Sequence, residues 1–357
     1  MNILTMIMLA FSALGALDRI FGSRFGIGKE FERGFMLLGN TALTTIGMIV
    51  LSPLLAKLLE PVSQAIYNTF GLDPSIIPVS LLANDMGGAP LAVQMARNAE
   101  LGLFNGLVVS TMLGCTVSYT IPYAMGCVRE EKHPELFFGL LCGIVTIPVG
   151  CFVGGLMVKL PVGLLLADLL PLVLFSAVVV CGLLLLPKIT VKLFSLLGLV
   201  IRGIITVGLM LGVLKTLAGI ELVPGLADFS EGADICVNAA IVLSGAFPLM
   251  YVIAKILARP LTKLGNFLKI GADGAMGFLS TVVSNSASFS LIDRMDSRGV
   301  VLNSAFAVGG SFVFGAHLAF TMAWDASYIA AMIVAKLVSG VCGLILAMIV
   351  YKPSNRK

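Results

Sequence analysis

Residues 75–97 read SIIPVSLLANDMGGAPLAVQMAR, and residues 272–294 read ADGAMGFLSTVVSNSASFSLIDR. Each stretch is apolar at both ends and polar in the middle. Each is too broken for a continuous spanning helix and has the length for two half-helices that meet at a tip. Such backbone is tolerated at membrane depth only inside protein or beside a water-filled cavity. The two stretches therefore predict re-entrant hairpins, and the remaining chain must supply the spanning framework around them.

Composition agrees with that framework. The chain is 58% hydrophobic and 12% charged, with mean hydropathy +1.04. A soluble domain carries about twice that share of charge. Apolar runs of roughly 20 residues each make one crossing. They predict nine crossings, near 2–17, 34–57, 101–126, 135–158, 161–186, 192–217, 234–257, 300–324 and 327–351. The expected fold is an all-α integral membrane protein, a single transmembrane domain over 1–357, with about nine transmembrane helices plus the two hairpins. The first run lacks a basic leader and a cleavage site, so it reads as a retained helix. The 39 glycines suit close helix packing in lipid. Seven cysteines without a CxxC pair read as packing residues, with no zinc site or disulfide framework. No cofactor is implied. The net charge of +4 comes from loop residues and makes no nucleic-acid face.

Loop charges orient the crossings. With the C-terminus cytoplasmic and both hairpins returning to their own side, the cytoplasmic face collects most of the lysines and arginines. These run from Arg19, Arg24, Lys29 and Arg33 through Arg129, Lys188 and Arg259 to Arg298, Arg356 and Lys357. The opposite face holds Lys57, Arg97, Lys159 and Lys215, and an acidic loop with Glu221, Asp228, Glu231 and Asp234. The positive-inside rule then gives an N-terminus outside and a C-terminus in the cytoplasm.

The hairpins also occupy equivalent places. Residues 84–123 align without gaps on 285–324, with identities at Asn84/Asn285, Arg97/Arg298, Leu101/Leu302, Ser110/Ser311, Gly114/Gly315 and Thr120/Thr321. Upstream, LLAKLLEP (54–61) resembles VIAKILARP (252–260). An odd number of crossings separates Lys57 from Lys255, so the second copy is upside down. The expectation is a repeat over 34–126 and an inverted one over 234–324, a recurrent design of secondary transporters. Chance similarity between apolar helices is the alternative.

The tips carry the candidate solute-binding residues. In Asn84-Asp85-Met86-Gly87-Gly88, a carboxylate sits where it is costly unless it faces water, a cation or a ligand. Gly87 and Gly88 allow a sharp turn and close approach of a solute. The stranded carbonyls of the first half-helix add negative dipole. Asp85 either binds a cation or caps the second half-helix. Ser284, Asn285 and Ser286 form the other tip, offering neutral donors and acceptors for a hydroxyl or ammonium group, or capping their own broken helix. His317 either faces the pathway or bonds to a neighbouring helix. Asp168, Arg202 and Lys336 lie within crossings and are open to ion pairing, with snorkelling as the alternative for Lys336. No HExxH, GxSxG or GxxxxGK[ST] occurs, which disfavours the common protease, hydrolase and ATP-driven classes.

The runs Leu82-Ala83-Asn84-Asp85-Met86-Gly87-Gly88, Gly143-Ile144-Val145-Thr146-Ile147-Pro148, Met295-Asp296-Ser297-Arg298-Gly299 and Ala305-Phe306-Ala307-Val308 resemble the ethanolamine-utilisation permease family (EutH-type). The resemblance extends over nearly the whole chain. It implies a transporter in the bacterial inner membrane that carries ethanolamine for the ammonia-lyase pathway of bacterial microcompartments. Expected partners are ethanolamine or a similar small amine and the lipid bilayer, with a homo-oligomer compatible. In that reading Asp85 takes the ammonium and Ser284, Asn285 or Ser286 the hydroxyl. Tyr119, Tyr123 or Trp324 adds cation–π contact. A transporter of another small amine or an amino acid is the second reading, and an intramembrane enzyme the third.

Overall fold

The computed structural model describes residues 3–352; Arg356 and Lys357 lie outside it, as do the side chains of Ile3, Ala258, Arg259, Leu261, Thr262 and Leu264. Helix α1 (Ile3–Ile20), α2 (Ile27–Met36) and α3 (Leu38–Phe70) open the chain. Hairpin 1 follows as α4 (Ile76–Leu81) and α5 (Gly88–Met95). A segmented crossing comes next, with α6 (Ala99–Leu107), α7 (Leu113–Cys115) and α8 (Ile121–Cys127). Then come α9 (His133–Met157), α10 (Val162–Leu185), α11 (Pro187–Ala218) and α12 (Phe229–Leu268). Hairpin 2 is α13 (Ala272–Val283) and α14 (Asn285–Ile292). A second segmented crossing, α15 (Ser297–Gly310) and α16 (Ala316–Trp324), leads to α17 (Ile329–Val350).

Among the described residues, six helices are long and apolar enough to span a bilayer, or seven if the bent pair Ala99–Thr111 and Leu113–Cys127 is one span. The protein is thus an all-α membrane protein, with six or seven such spans among the described residues against the nine expected from apolar runs. The crossings read at 101–126 and 300–324 are the two that break. The first bends by 42° near Met112 and then makes a π turn over Thr116–Thr120. Pro122 contributes to that turn, since it has no N–H to give to the carbonyl of Ser118. The second breaks over 311–315, where Phe312 has φ +56°.

Lipid-facing and core-facing stripes explain why the intact helices lie where they do. On α10, Leu166, Leu170, Leu174 and Val178 are exposed at four-residue spacing, whereas Leu165, Leu169, Leu172, Val179 and Leu183 are buried. An exposed apolar stripe of this length is solvated by acyl chains rather than water. Helix α9 sits centrally against α15 and α17. Gly143 allows the close contact, because a Cβ there would come within 2.6 Å of the Ala305 carbonyl oxygen. Thr146 Oγ1 then reaches across to the Ser339 carbonyl at 3.0 Å. Helix α12 starts with a capping box of Asp228 and Glu231 and, at 40 residues, is about twice as long as a bilayer core is thick.

Each hairpin is clasped at its base by one carboxylate. Asp73 accepts from the backbone N–H groups of Arg97 (3.0 Å) and Asn98 (2.9 Å), joining the start of hairpin 1 to its end. Asp296 accepts from Gly271 N–H at 2.8 Å and Gly299 N–H at 2.6 Å, doing the same for hairpin 2. The base of hairpin 2 rests on the segment leading into α9, through the Arg129–Asp293 ion pair at 3.2 Å and Lys132 Nζ donating to the Met295 carbonyl at 2.7 Å. The base of hairpin 1 instead borders a pocket with Leu164, Ala167 and Asp168, just beyond the far end of α9. The two bases therefore lie toward opposite ends of α9.

Candidate functional site

The tips of both hairpins are extended backbone where helix would otherwise run. Leu82 (φ −121°, ψ 135°) and Ala83 (φ −63°, ψ 156°) end α4, and Ser284 (φ −162°, ψ 131°) separates α13 from α14. At tip 1 the chain turns back through Gly87, whose φ of +108° is open to glycine and strained for other residues. Gly88 lets α5 begin against the end of α4, since a Cβ would meet the Leu82 carbonyl oxygen at 2.5 Å. Thr45 of α3 donates to the Asp85 carbonyl at 2.8 Å, and the Ala83 N–H donates to Ser118 at 3.3 Å. The tip is thereby fastened to α3 on one side and to the π turn on the other.

A cavity of about 490 Å³ opens beside this tip. Asp85 lines it from tip 1, Tyr119 and Tyr123 from the segmented crossing, Arg202 from α11, and Phe312 and His317 from the second break. Tyr119 and Tyr123 stack with ring centroids 5.3 Å apart and planes 10° from parallel. Phe312 meets Tyr119 edge-on at 5.7 Å and lies 5.0 Å from the His317 ring. Ser118 and Cys115 complete the polar wall. A π turn displaces its residues from the ordinary helical stripe, which places Ser118 and Tyr119 on the cavity.

Of the residues read from sequence, Asp85 and His317 come together in this cavity. Asp85 does not cap α5: that helix starts from Gly87 with no side-chain cap. Among the described residues, no basic side chain comes within ion-pairing distance of its carboxylate. His317 is 2% exposed, and its Nδ1 has no hydrogen-bond partner. Asn84 lies behind the wall, fully enclosed, with both amide atoms unpartnered. Gly87 and Gly88 shape the tip rather than border the cavity. At tip 2, Ser284 and Ser286 bond to one another (Oγ···Oγ 2.6 Å), and no side chain caps α14. Asn285 Nδ2 donates to Thr120 Oγ1 at 2.9 Å, leaving its Oδ1 unpartnered. Tip 2 thus reaches the cavity through the π turn, not by lining it. Trp324 is remote, stacked on Phe320 beside a different pocket.

Two intramembrane charges take places the sequence left open. Asp168 is bonded to Asn105, at 3.1 Å, and not to Arg202. Lys336 does not snorkel: it is fully buried, with Nζ donating to the Thr111 carbonyl at 2.6 Å. The cavity residues missed in sequence are Ser118, Cys115, Ser195 and Phe312. For Cys115, Ser118 and Phe312 the one signal was proximity to the identical pairs Ser110/Ser311 and Gly114/Gly315; Ser195 had none. Among the described residues, no group of three or more His, Cys, Asp or Glu side chains gathers to hold a metal ion.

The fold and site define a multi-pass α-helical membrane protein in which a hairpin tip and two broken crossings border a cavity that carries a carboxylate, a guanidinium and an imidazole. The profile of the family described as "Ethanolamine utilisation protein, EutH" matches residues 1–350, and the chain belongs to that family. It is 40% identical over 340 residues to the "Probable ethanolamine permease EutH" of Listeria monocytogenes, covering 95% of this chain and 91% of that protein. It is 37% identical to the "Uncharacterized protein YxeR" of Bacillus subtilis, covering 94% and 90%. To the "Probable ethanolamine permease EutH" of Escherichia coli it is 34% identical, covering 97% and 94%. No solved structure matches the chain.

Proposed function

We propose that this protein is a permease that carries ethanolamine across a bacterial inner membrane. The observation that carries the reading is Asp85, a carboxylate on a broken hairpin tip, facing a largely apolar, aromatic cavity without a capping role or, among the described residues, an ion-pair partner. Ethanolamine at neutral pH is an ammonium with a hydroxyl at its other end. Asp85 takes the ammonium in a charge-assisted hydrogen bond, the faces of Tyr119 and Tyr123 add cation–π attraction, and Ser118 or His317 takes the hydroxyl. The names carried by the Listeria and Escherichia relatives point the same way.

Transport follows from an inverted repeat. Supporting it, Gly114 packs against the Leu82 carbonyl and Gly315 against the Val283 carbonyl, pairs that fall in register when 84–123 is laid on 285–324. The clasped bases at opposite ends of α9 favour hairpins that enter from opposite faces, and alternating access then opens the cavity to each side in turn. The loop charges support an N-terminus outside and a C-terminus inside.

A second reading rests on Arg202, which lines the same cavity and has no ion pair among the described residues. A carboxylate there and an ammonium on Asp85 would suit a small amino acid. Uptake of labelled ethanolamine into proteoliposomes, with serine and propylamine as competitors, tests the choice. Competition by serine that is lost in Arg202→Gln would establish the amino-acid reading instead.

A further inference from the structure

A second polar pocket, of about 350 Å³, lies behind the base of hairpin 1 and is bordered by Asp73, Arg97 and Asp168. Asp168 is 3% exposed. Its Oδ1 accepts from Asn105 Nδ2, and its Oδ2 has no partner. Asn105 is fully enclosed; the same Nδ2 also donates to Ser75 Oγ at 2.9 Å, and its Oδ1 has no partner. Asp73, by contrast, is filled by the N–H groups of Ser75, Arg97 and Asn98. The guanidinium of Arg97 is committed to Glu60 at 2.7 Å. Among the described residues, Asp168 therefore has no basic partner, although a buried unpaired carboxylate is costly enough within a membrane to mark function.

The open valences are all oxygen: one carboxylate oxygen, one amide oxygen and the hydroxyl of Ser75. Hard oxygen donors select hard cations, and no thiolate or imidazole is present to recruit a softer metal. One unneutralised carboxylate balances a single positive charge. Protonation of Asp168 is the rival solution: its O–H would close a pair with Asn105 Oδ1 and use both oxygens within the protein, whereas a cation engages Ser75 Oγ as well. We propose that Asp168, Asn105 and Ser75 bind a monovalent metal cation of the Na⁺ class, and that this cation is the coupling ion of the transport proposed above, on which the second half of the inference rests.

The position gives the ion something to couple. Ser75 belongs to the clasped base of hairpin 1, Asn105 to α6 and Asp168 to α10. A cation shared by all three fastens the hairpin to the framework, and its departure frees the hairpin to move. Stranded oxygens near broken helices serve coupling ions in other transporters by the same physics.

Binding of ²²Na⁺ to purified protein, measured by scintillation proximity with unlabelled Na⁺ and K⁺ as competitors, tests the site without reference to any organic solute. Wild type is expected to bind saturably. Asp168→Asn should weaken binding by roughly ten-fold or more, the loss of one charge-assisted ligand. Asn105→Ala and Ser75→Ala, which leave the carboxylate in place, should weaken it by smaller factors and keep the test alive if Asp168→Asn does not fold. Absence of Na⁺ binding by wild type, or equal binding by all well-folded variants, overturns the site while leaving ethanolamine uptake intact. In proteoliposomes an inward Na⁺ gradient should accelerate uptake over N-methylglucamine. Uptake driven by a pH gradient and indifferent to Na⁺ would assign protonation to Asp168 and overturn the proposal. Saturable Na⁺ binding lost in Asp168→Asn, without uptake of any amine, would support the site and sink the permease reading.

Discussion

Lys336 Nζ donates to the backbone carbonyl of Thr111 at 2.6 Å, at the break in the first segmented crossing. No part of the lysine reaches the surface, and among the described residues no carboxylate lies within ion-pairing distance. An ammonium thus takes the place of the helical N–H that the break removes. Tip 1 lies beside this break, where Gly88 abuts Ser110, so in the proposed binding mode the lysine and the solute ammonium share the field of Asp85.

That sharing predicts the effect of Lys336→Met, which keeps the apolar stem and removes the charge. At an effective dielectric near 20, two unit charges interact by ~4 kcal/mol at 4 Å and by proportionately less at longer range. Removing the lysine should therefore tighten ethanolamine binding by about ten-fold in an equilibrium titration, while uptake slows because the break loses its tether. Weaker binding in Lys336→Met would show that the lysine supports the site by another route.

Asp85→Asn keeps size and removes charge. Because Asp85 caps no helix, expression and thermal stability should hold. Ethanolamine affinity should fall by about 10- to 150-fold, the equivalent of about 1.5–3 kcal/mol for a hydrogen bond to a charged group. Unchanged affinity would remove Asp85 from the solute site.

Gly87→Ala should damage tip 1. The backbone φ there is +108°, and the Met48 side chain occupies the space of the new methyl. A left-handed conformation costs an L-residue about 1–2 kcal/mol before any clash. The melting temperature and uptake should both fall. Gly126→Ala, with nothing within 4 Å of the added carbon, is the matched control and should behave as wild type.

The parts of this site that the sequence disclosed are those where polar residues interrupt an apolar run, as at Asp85 and at Ser284 to Ser286. The broken crossings were not disclosed, because their small polar residues, Ser110 and Thr111 in one and Ser311 in the other, are scattered through apolar runs and are equally at home in an unbroken helix. Tertiary hydrogen bonds hold the breaks: Lys336 Nζ to the Thr111 carbonyl in the first, and in the second Phe312 N–H to the Thr281 carbonyl at 3.1 Å and Phe314 N–H to the Val282 carbonyl at 2.8 Å. No local pattern encodes such partners. Arg202 was visible as a charge within a span, but whether it faced Asp168 or the cavity depended on helix rotation, which a nearly all-apolar α11 does not fix.

Single cysteines in a cysteine-free background test the topology. Ala99 and Ala272 are exposed and flank the bases of hairpins 1 and 2. Ala99→Cys should react with an impermeant maleimide from outside, and Ala272→Cys only from the cytoplasmic side. Reaction of both from one face would contradict the inverted repeat.

In the proposed function, the cavity holding Asp85 recognises a protonated amine that also carries a hydroxyl. A binding titration on the purified protein with ethanolamine, propylamine, choline and serine addresses it directly. Ethanolamine should bind most tightly. Propylamine should be weaker because it leaves the hydroxyl partner unpaired, and choline because it has lost its ammonium donors and gained bulk. Serine should be weaker because its carboxylate approaches Asp85; serine binding more tightly than ethanolamine would contradict the account.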